Sequence, residues 1–201
     1  MSMRIPTEKE NCFLRPWRAE DKSQLVYLAN NHKIWRNLTE LFPNPYTEKD
    51  ADFWITHSNN CSPGLHLAIE WEGLAVGCVG VDPGKGVSCG TAHIGYWLGE
   101  PFWGNGIATA AACSMANYAL SDLPIERLEA RVFEWNPPSM RVLEKAGFIR
   151  ESVLKHSITK DGCLIDSVMY ARIRFSKFSV TGQCQQSAVY PKPLTLFNFI
   201  I

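Results

Sequence analysis

The sequence predicts an α+β fold, a mixed α/β sandwich built on one central sheet. Three observations predict it. Apolar spacing switches between periods of 2 and 3.6 in the order strand, helices, three strands, helix, strand, helix, two strands. Residues 65–71 (LHLAIEW) and 74–81 (LAVGCVGV) flank Glu72-Gly73 and read as a hairpin. Residues 107–120 are rich in alanine, and small side chains let a helix lie close to a sheet. Residues 1–175 make one domain by this pattern, and 176–201 form a tail without periodicity.

Each element has its own warrant. Residues 12–17 (CFLRPW) read as a short strand that Pro16 stops or holds at an edge. Residues 19–30 place Leu25, Val26, Leu28 and Ala29 on one helical face, and 34–41 suggest a second short helical piece. Pro43 and Pro45 then exclude regular helix. Thr47 and Asp50 fit a capping box that opens a helix running to about residue 59. Beyond the 65–81 hairpin, DPGKGVSCG (82–90) reads as a glycine-rich tip and 91–98 as the next strand. After the alanine-rich helix, 128–135 alternates as a strand. Asn136 is a good helix cap, Pro137 a good first residue and Gly147 a stop. Residues 148–156 and 163–173 close the domain as two strands joined by Thr159-Lys160-Asp161-Gly162.

Composition bounds the function. Lys plus Arg number 20 and Asp plus Glu 20, so no electrostatic footprint for nucleic acid exists. No apolar run approaches the roughly 20 residues of a membrane span, so no membrane partner is expected. Seven cysteines are scattered without a C-x-x-C pair, and residues 1–11 are too polar for a secretory signal. A cytoplasmic protein with reduced thiols is expected. The histidines form no H-x-x-x-H pair, so no metal is expected.

The stretch YWLGEPFWGNGIATAAA (96–112) carries the chemistry. It reads as strand, tight loop and helix start, with Gly104 and Gly106 leaving the backbone bare where helix N–H groups lack partners. Such a place is either a simple turn or a phosphate site. Thr109 stands where a dinucleotide fingerprint needs its third glycine, and no P-loop motif occurs.

Four segments resemble the GNAT N-acetyltransferase superfamily, and within it the RimJ/RimL-like branch. They are FLRPW, FPNPYTEKDADFWI, HIGYWLGEPFWGNGIATAAA and LEARVFEWNPPSMRVLEKAGF. The resemblance covers roughly residues 11–174. It implies a mostly antiparallel sheet splayed at an acetyl-CoA site, and acetyl transfer to a primary amine by direct attack in a ternary complex. The bound phosphates would then be the coenzyme A pyrophosphate, wrapped by Trp103, Gly104, Asn105, Gly106, Ile107 and Ala108. Tyr96, Trp97 and Leu98 would offer main-chain contacts to the pantetheine, and so would the side chain of Asn136.

The resemblance also assigns roles to reacting groups. Many members carry a proton-donating tyrosine where this chain has Leu143; the branch's proposed donor serine is matched by Ser139, which equally suits a first-turn hydrogen bond. The base candidates are His93, where relatives often have Glu, and then Glu134. Trp35 and Tyr46 suit either an acceptor pocket or the core, and Arg141 and Lys145 either adenosine phosphates or a solvated face. The acceptor is a small-molecule or peptide amine. A catalytically weak acyl-CoA sensor of the same fold, or use of another acyl donor, are the competing expectations. A homodimer would give the apolar tail at 194–201 a partner.

Overall fold

The computed structural model describes residues 3–174, so the tail from residue 176 and its expected extra strand lie outside the described residues. Among the described residues eight strands form one sheet: β1 (Ile5–Pro6), β2 (Cys12–Arg15), β3 (Leu65–Trp71), β4 (Leu74–Pro83), β5 (Thr91–Leu98), β6 (Arg127–Phe133), β7 (Ile149–Lys160) and β8 (Cys163–Ile173). Their spatial order is β1-β2-β3-β4-β5-β6-β8-β7. Five α-helices among the described residues cover it: α1 (Lys22–Ala29), α2 (His32–Trp35), α3 (Glu48–Asn60), α4 (Ile107–Asp122) and α5 (Pro137–Lys145).

Strand alternation divides the core into two layers. Leu67, Ile69, Ile94, Tyr96, Leu98, Leu128 and Ala130 face α4 and α5. Ala68, Cys78 and Trp97 face the other way, against Leu25, Leu28, Ile34, Phe42, Tyr46 and Trp54 of the α1–α3 layer. The alanine-rich helix lies flat on the sheet, with Ala111, Ala112, Ala116 and Ala119 fully buried. Both two-residue turns that close hairpins are left-handed at each position. Glu72 and Gly73 have φ of 50° and 85°, and Asp161 and Gly162 have 50° and 72°. This geometry matches the right-handed strand twist and favours glycine second.

The capping box reads out as expected: Thr47 Oγ1 accepts from Asp50 N, and the Asp50 carboxylate accepts from Thr47 N at 2.8 Å. The second helical piece differs from the sequence reading. It is α2, and it starts earlier because the Asn31 side chain accepts from Lys33 N at 2.8 Å. β7 also runs past residue 156, through an irregularity between Leu154 and Ile158. There His156 takes φ 49° and its N–H donates to Asp166 Oδ1.

Two seams of the sheet are built differently. Along β2–β3 all four β2 residues pair, and the buried Arg15 guanidinium bonds Glu70 Oε2 (2.5 Å) and both oxygens of Asp21 (2.6 and 2.8 Å). Along β5–β6, the parallel seam, only Thr91, Ala92 and His93 pair, with Arg127, Leu128 and Glu129. From Ile94 onward β5 keeps β4 on one side alone, and β6 keeps β8. The sheet opens there as a wedge.

Candidate acetyl-CoA site

The wedge leads into a cleft of about 570 Å³. Its floor is the end of β5, its mouth the 103–108 loop, and its walls are α5 on one side and α2 with residues 36–38 on the other.

The mouth is built from bare backbone. Gly104 and Gly106 have φ of 79° and 76°, and a Cβ on either would point into open space. No side chain caps α4 at Gly106, so the N–H groups that follow keep their donors and the positive end of the helix dipole for a ligand. Ile107, Ala108 and Thr109 all line the cleft. Trp103 braces the loop by donating its indole N–H to the Leu98 carbonyl at 2.7 Å. Glu100 ties the loop to α2 through Lys33 and through Asn31 Nδ2 at 2.8 Å, and these two hydrogen bonds hold its carboxyl below the usual range. Arg141 and Lys145 also line the cleft, and neither has an ion-pair partner among the described residues. A bare helix start facing two such cations suits a pyrophosphate and its neighbouring phosphates.

Deeper in, α5 meets β5. Asn136 caps α5 by accepting from Ser139 N at 3.3 Å. The Tyr96 hydroxyl lies 2.9 Å from Ser139 Oγ and 3.1 Å from the Ser139 carbonyl oxygen. Both side chains are buried and both line the cleft. Burial pushes the Tyr96 phenol well above its ordinary value, against the smaller opposing effect of the Ser139 hydrogen bond, so it stays protonated at neutral pH.

The structure brings together most of the residues singled out from sequence. Tyr96, Trp97, Leu98, Trp103, Gly104, Gly106, Ile107, Ala108, Asn136 and Ser139 line this one cleft. Asn105 sits at the exposed loop tip, where its amide donates to the carbonyls of Phe102 and Trp103. His93 lies at the closed end of the wedge, half exposed on the face it shares with Trp97, with Nδ1 3.9 Å from Glu129 Oε2. Glu134 Oε1 accepts from Asp166 N at 3.1 Å, an anchor for β8. Neither lines the cleft, and nor do Trp35 and Tyr46. Tyr46 is buried against Phe42, with ring centroids 5.2 Å apart. One face of Trp35 is taken by the buried Lys160 ammonium, 3.4 Å from the ring centroid, and Lys160 Nζ lies 3.3 Å from Glu40 Oε1.

Trp135, Arg36 and Asn37 also belong to the cleft, though the sequence did not single them out. Trp135 lines the cleft and its indole donates to Asn37 Oδ1 at 3.1 Å, while Arg36 lies over its ring at 5.4 Å. The one signal was an aromatic residue directly before the capping Asn136.

Comparison with known proteins agrees with this geometry. Residues 11–149 match the acetyltransferase (GNAT) domain model, and the chain belongs to the GNAT acetyltransferase family. It is 41% identical over 81 residues to a probable N-acetyltransferase, YjcK, of Bacillus subtilis, covering 40% of this chain and 45% of that protein. It is 34% identical over 83 residues to the ribosomal-protein-serine acetyltransferase of Escherichia coli, covering 41% and 46%. These alignments span about half of each curated relative. The fold matches that of RimL, a ribosomal L7/L12 α-N-protein acetyltransferase solved with coenzyme A. The TM-score is 0.75 at 20% identity, over 85% of this chain and 98% of that one.

No helix among the described residues is long and apolar enough to cross a membrane.

Proposed function

We propose that the chain moves an acetyl group from acetyl-CoA to a primary amine by direct attack in a ternary complex. The observation that carries this reading is the conjunction of the bare α4 start with the buried Tyr96–Ser139 pair at the edge of the wedge. The 104–108 backbone and the α5 cations hold the phosphates, and the parted edges of β5 and β6 offer main-chain groups to the pantetheine. Fixing thioester and amine together supplies much of the rate.

In the chemical step the amine nitrogen forms a bond to the acetyl carbon and the C–S bond breaks. Ser139 Oγ–H gives its proton to the departing thiolate, and the proton that the nitrogen sheds as the amide forms returns to Ser139 Oγ through water. Tyr96, kept protonated by burial, turns its O–H from the Ser139 carbonyl to Ser139 Oγ and stabilises the oxygen left behind. No Asp, Glu or His among the described residues lines the cleft, so the proton of the incoming ammonium leaves through water. That same lack, with Leu143 at the place of the usual tyrosine, favours a second reading in which the chain binds acetyl-CoA with little turnover.

One experiment separates the two. Coenzyme A release is followed across a panel of amines, with ribosomal-protein N-terminal peptides first because relatives carry that activity in their names. Turnover by the wild type, falling about 10²–10⁴-fold in kcat for Ser139→Ala with the acetyl-CoA KM unchanged, supports transfer with Ser139 as acid. Tight acetyl-CoA binding with no release on any amine leaves the sensor reading standing. Turnover unchanged by Ser139→Ala removes the proton-donor role.

A further inference from the structure

Away from the cleft, on the α1–α3 side of the sheet, three side chains from three elements converge. Cys61 is the residue on which α3 ends, and it already has extended backbone (φ −69°, ψ 121°). His66 is the second residue of β3 and pairs with Gly80 of β4. Asp82 stands two residues beyond Gly80 on β4, the diagonal position that shares a face with His66. The register of one hairpin therefore sets His66 beside Asp82, and the end of α3 brings in Cys61. We propose that Cys61 Sγ, His66 Nε2 and Asp82 Oδ1 bind one divalent zinc ion, with water in the fourth position.

Geometry, space and unmet polarity each support the assignment. His66 Nε2 and Asp82 Oδ1 are 3.0 Å apart, and the three donor atoms all lie within 4.8 Å of one another. Donor atoms around a tetrahedral zinc, at bonds of about 2.0–2.3 Å, stand roughly 3.2–3.8 Å apart. To reach that spacing His66 Nε2 and Asp82 Oδ1 part slightly from 3.0 Å, and Cys61 Sγ, within 4.8 Å of both, draws in.

The donors converge on the side of Gly64 where any other residue would carry Cβ. That atom would come within 2.8 Å of Cys61 Sγ, 2.9 Å of Asp82 Oδ1 and 3.4 Å of His66 Nε2. A second glycine clears the opposite side of the imidazole, since a Cβ on Gly80 would meet His66 Nδ1 at 2.3 Å. The ring is thus fixed with Nε2 turned to the other two ligands.

The second carboxylate oxygen of Asp82, Oδ2, is buried and makes no hydrogen bond among the described residues. A buried acceptor left so is costly, and an ion with its bound water satisfies it. The ligand types decide the metal: one thiolate, one imidazole and one carboxylate suit zinc better than calcium or magnesium, which take oxygen ligands. On binding, the Cys61 thiol releases its proton to solvent and its sulfur forms the metal bond. The ion would tie the end of α3 to the β3–β4 pair.

The test uses the full chain stripped of metal by chelator. Cobalt serves as an optical probe of thiolate ligation, and zinc is measured by competition with a chelating dye. One equivalent of cobalt should give a near-ultraviolet thiolate-to-cobalt band, and Cys61→Ser should abolish it. Asp82→Asn should keep the band but weaken zinc binding by more than the roughly 10–100-fold typical for losing an outer-shell partner. Gly64→Ala, which fills the space between the donors, should weaken zinc binding while circular dichroism shows the fold retained. A band that persists in Cys61→Ser would mean adventitious binding at other thiols and overturns the site, as does folded wild-type protein that takes up no zinc.

Discussion

The two seams of the sheet make opposite use of the same backbone chemistry. At β2–β3 every residue of β2 pairs, and the side chains at the seam satisfy one another: Arg15 with Glu70 and Asp21, and Arg4 with Glu70. At β5–β6 pairing stops after three residues, and the donors and acceptors beyond are left to the wedge. The helix that follows the open seam likewise starts uncapped at Gly106, whereas α3 closes its first turn with Thr47 and Asp50. Buried backbone groups are almost always paired, so a seam that opens onto a cleft, beside a bare helix start and two cations without an ion-pair partner among the described residues, is where the proposed acetyl-CoA would complete the structure. The closed seam is there for stability.

The largest effect that would test this division is at the closed seam. Arg15→Leu should lower unfolding free energy in denaturant by about 3–5 kcal/mol, because buried Asp21 loses its guanidinium and buried Glu70 is left with the half-exposed Arg4 and Arg18. Acetyl-CoA should still raise the melting temperature of the folded variant; loss of that response would mean the seams are coupled. The same network sets an acid limb. Burial tends to raise the Glu70 pKa, but hydrogen bonds from Arg15 and Arg4 outweigh it and the net shift is downward. Its stabilisation is therefore complete above the unfolded glutamate value of about 4.3 and is lost as pH falls through the lower folded value. Stability against pH should show that decline in the wild type and a flatter limb in Glu70→Gln.

Next in size is the open seam. At about 100 times its dissociation constant, acetyl-CoA should add about 2.7 kcal/mol to native stability. Gly106→Trp, which puts a bulky side chain at φ 76° in the mouth of the cleft, should forfeit all of it. A variant that melts higher with acetyl-CoA just as the wild type does would remove the loop from the site. The smallest effect distinguishes a capped helix start from a bare one. Thr47→Ala should cost about 1 kcal/mol of stability and leave acetyl-CoA affinity unchanged.

What could be read from the sequence was what neighbouring residues decide. β3 and β5 begin and end where their alternation does, the capping box opens α3, and the Gly104–Gly106 loop lies between strand and helix as its composition says. What could not be read depends on partners far along the chain. Alternation puts His93 and Trp97 on one face, yet only the docking of β6 shows that His93 falls where the wedge is still closed. Ser139 could be matched to a motif, but its bond to Tyr96 joins α5 to β5 across the wedge. Nothing near Trp35 in the sequence keeps it from lining a pocket; Lys160, from the last hairpin, covers it. The Cys61, His66 and Asp82 cluster has no spacing signature, because a loop and two strands each contribute one residue.

That contact between Lys160 and Trp35 bears on the order in which the protein is made. The α2 wall of the cleft leans on β7 through Lys160, Trp35 and Glu40, so it is complete only when the C-terminal hairpin has arrived. Until then β6, an interior strand of the finished sheet, is an edge. A chain that had paired β1 to β6 without β7 and β8 would carry an unpaired flank and a half-built cleft. Edges of that kind attract other strands, so the C-terminal hairpin also acts as a shield that closes β6 against other chains.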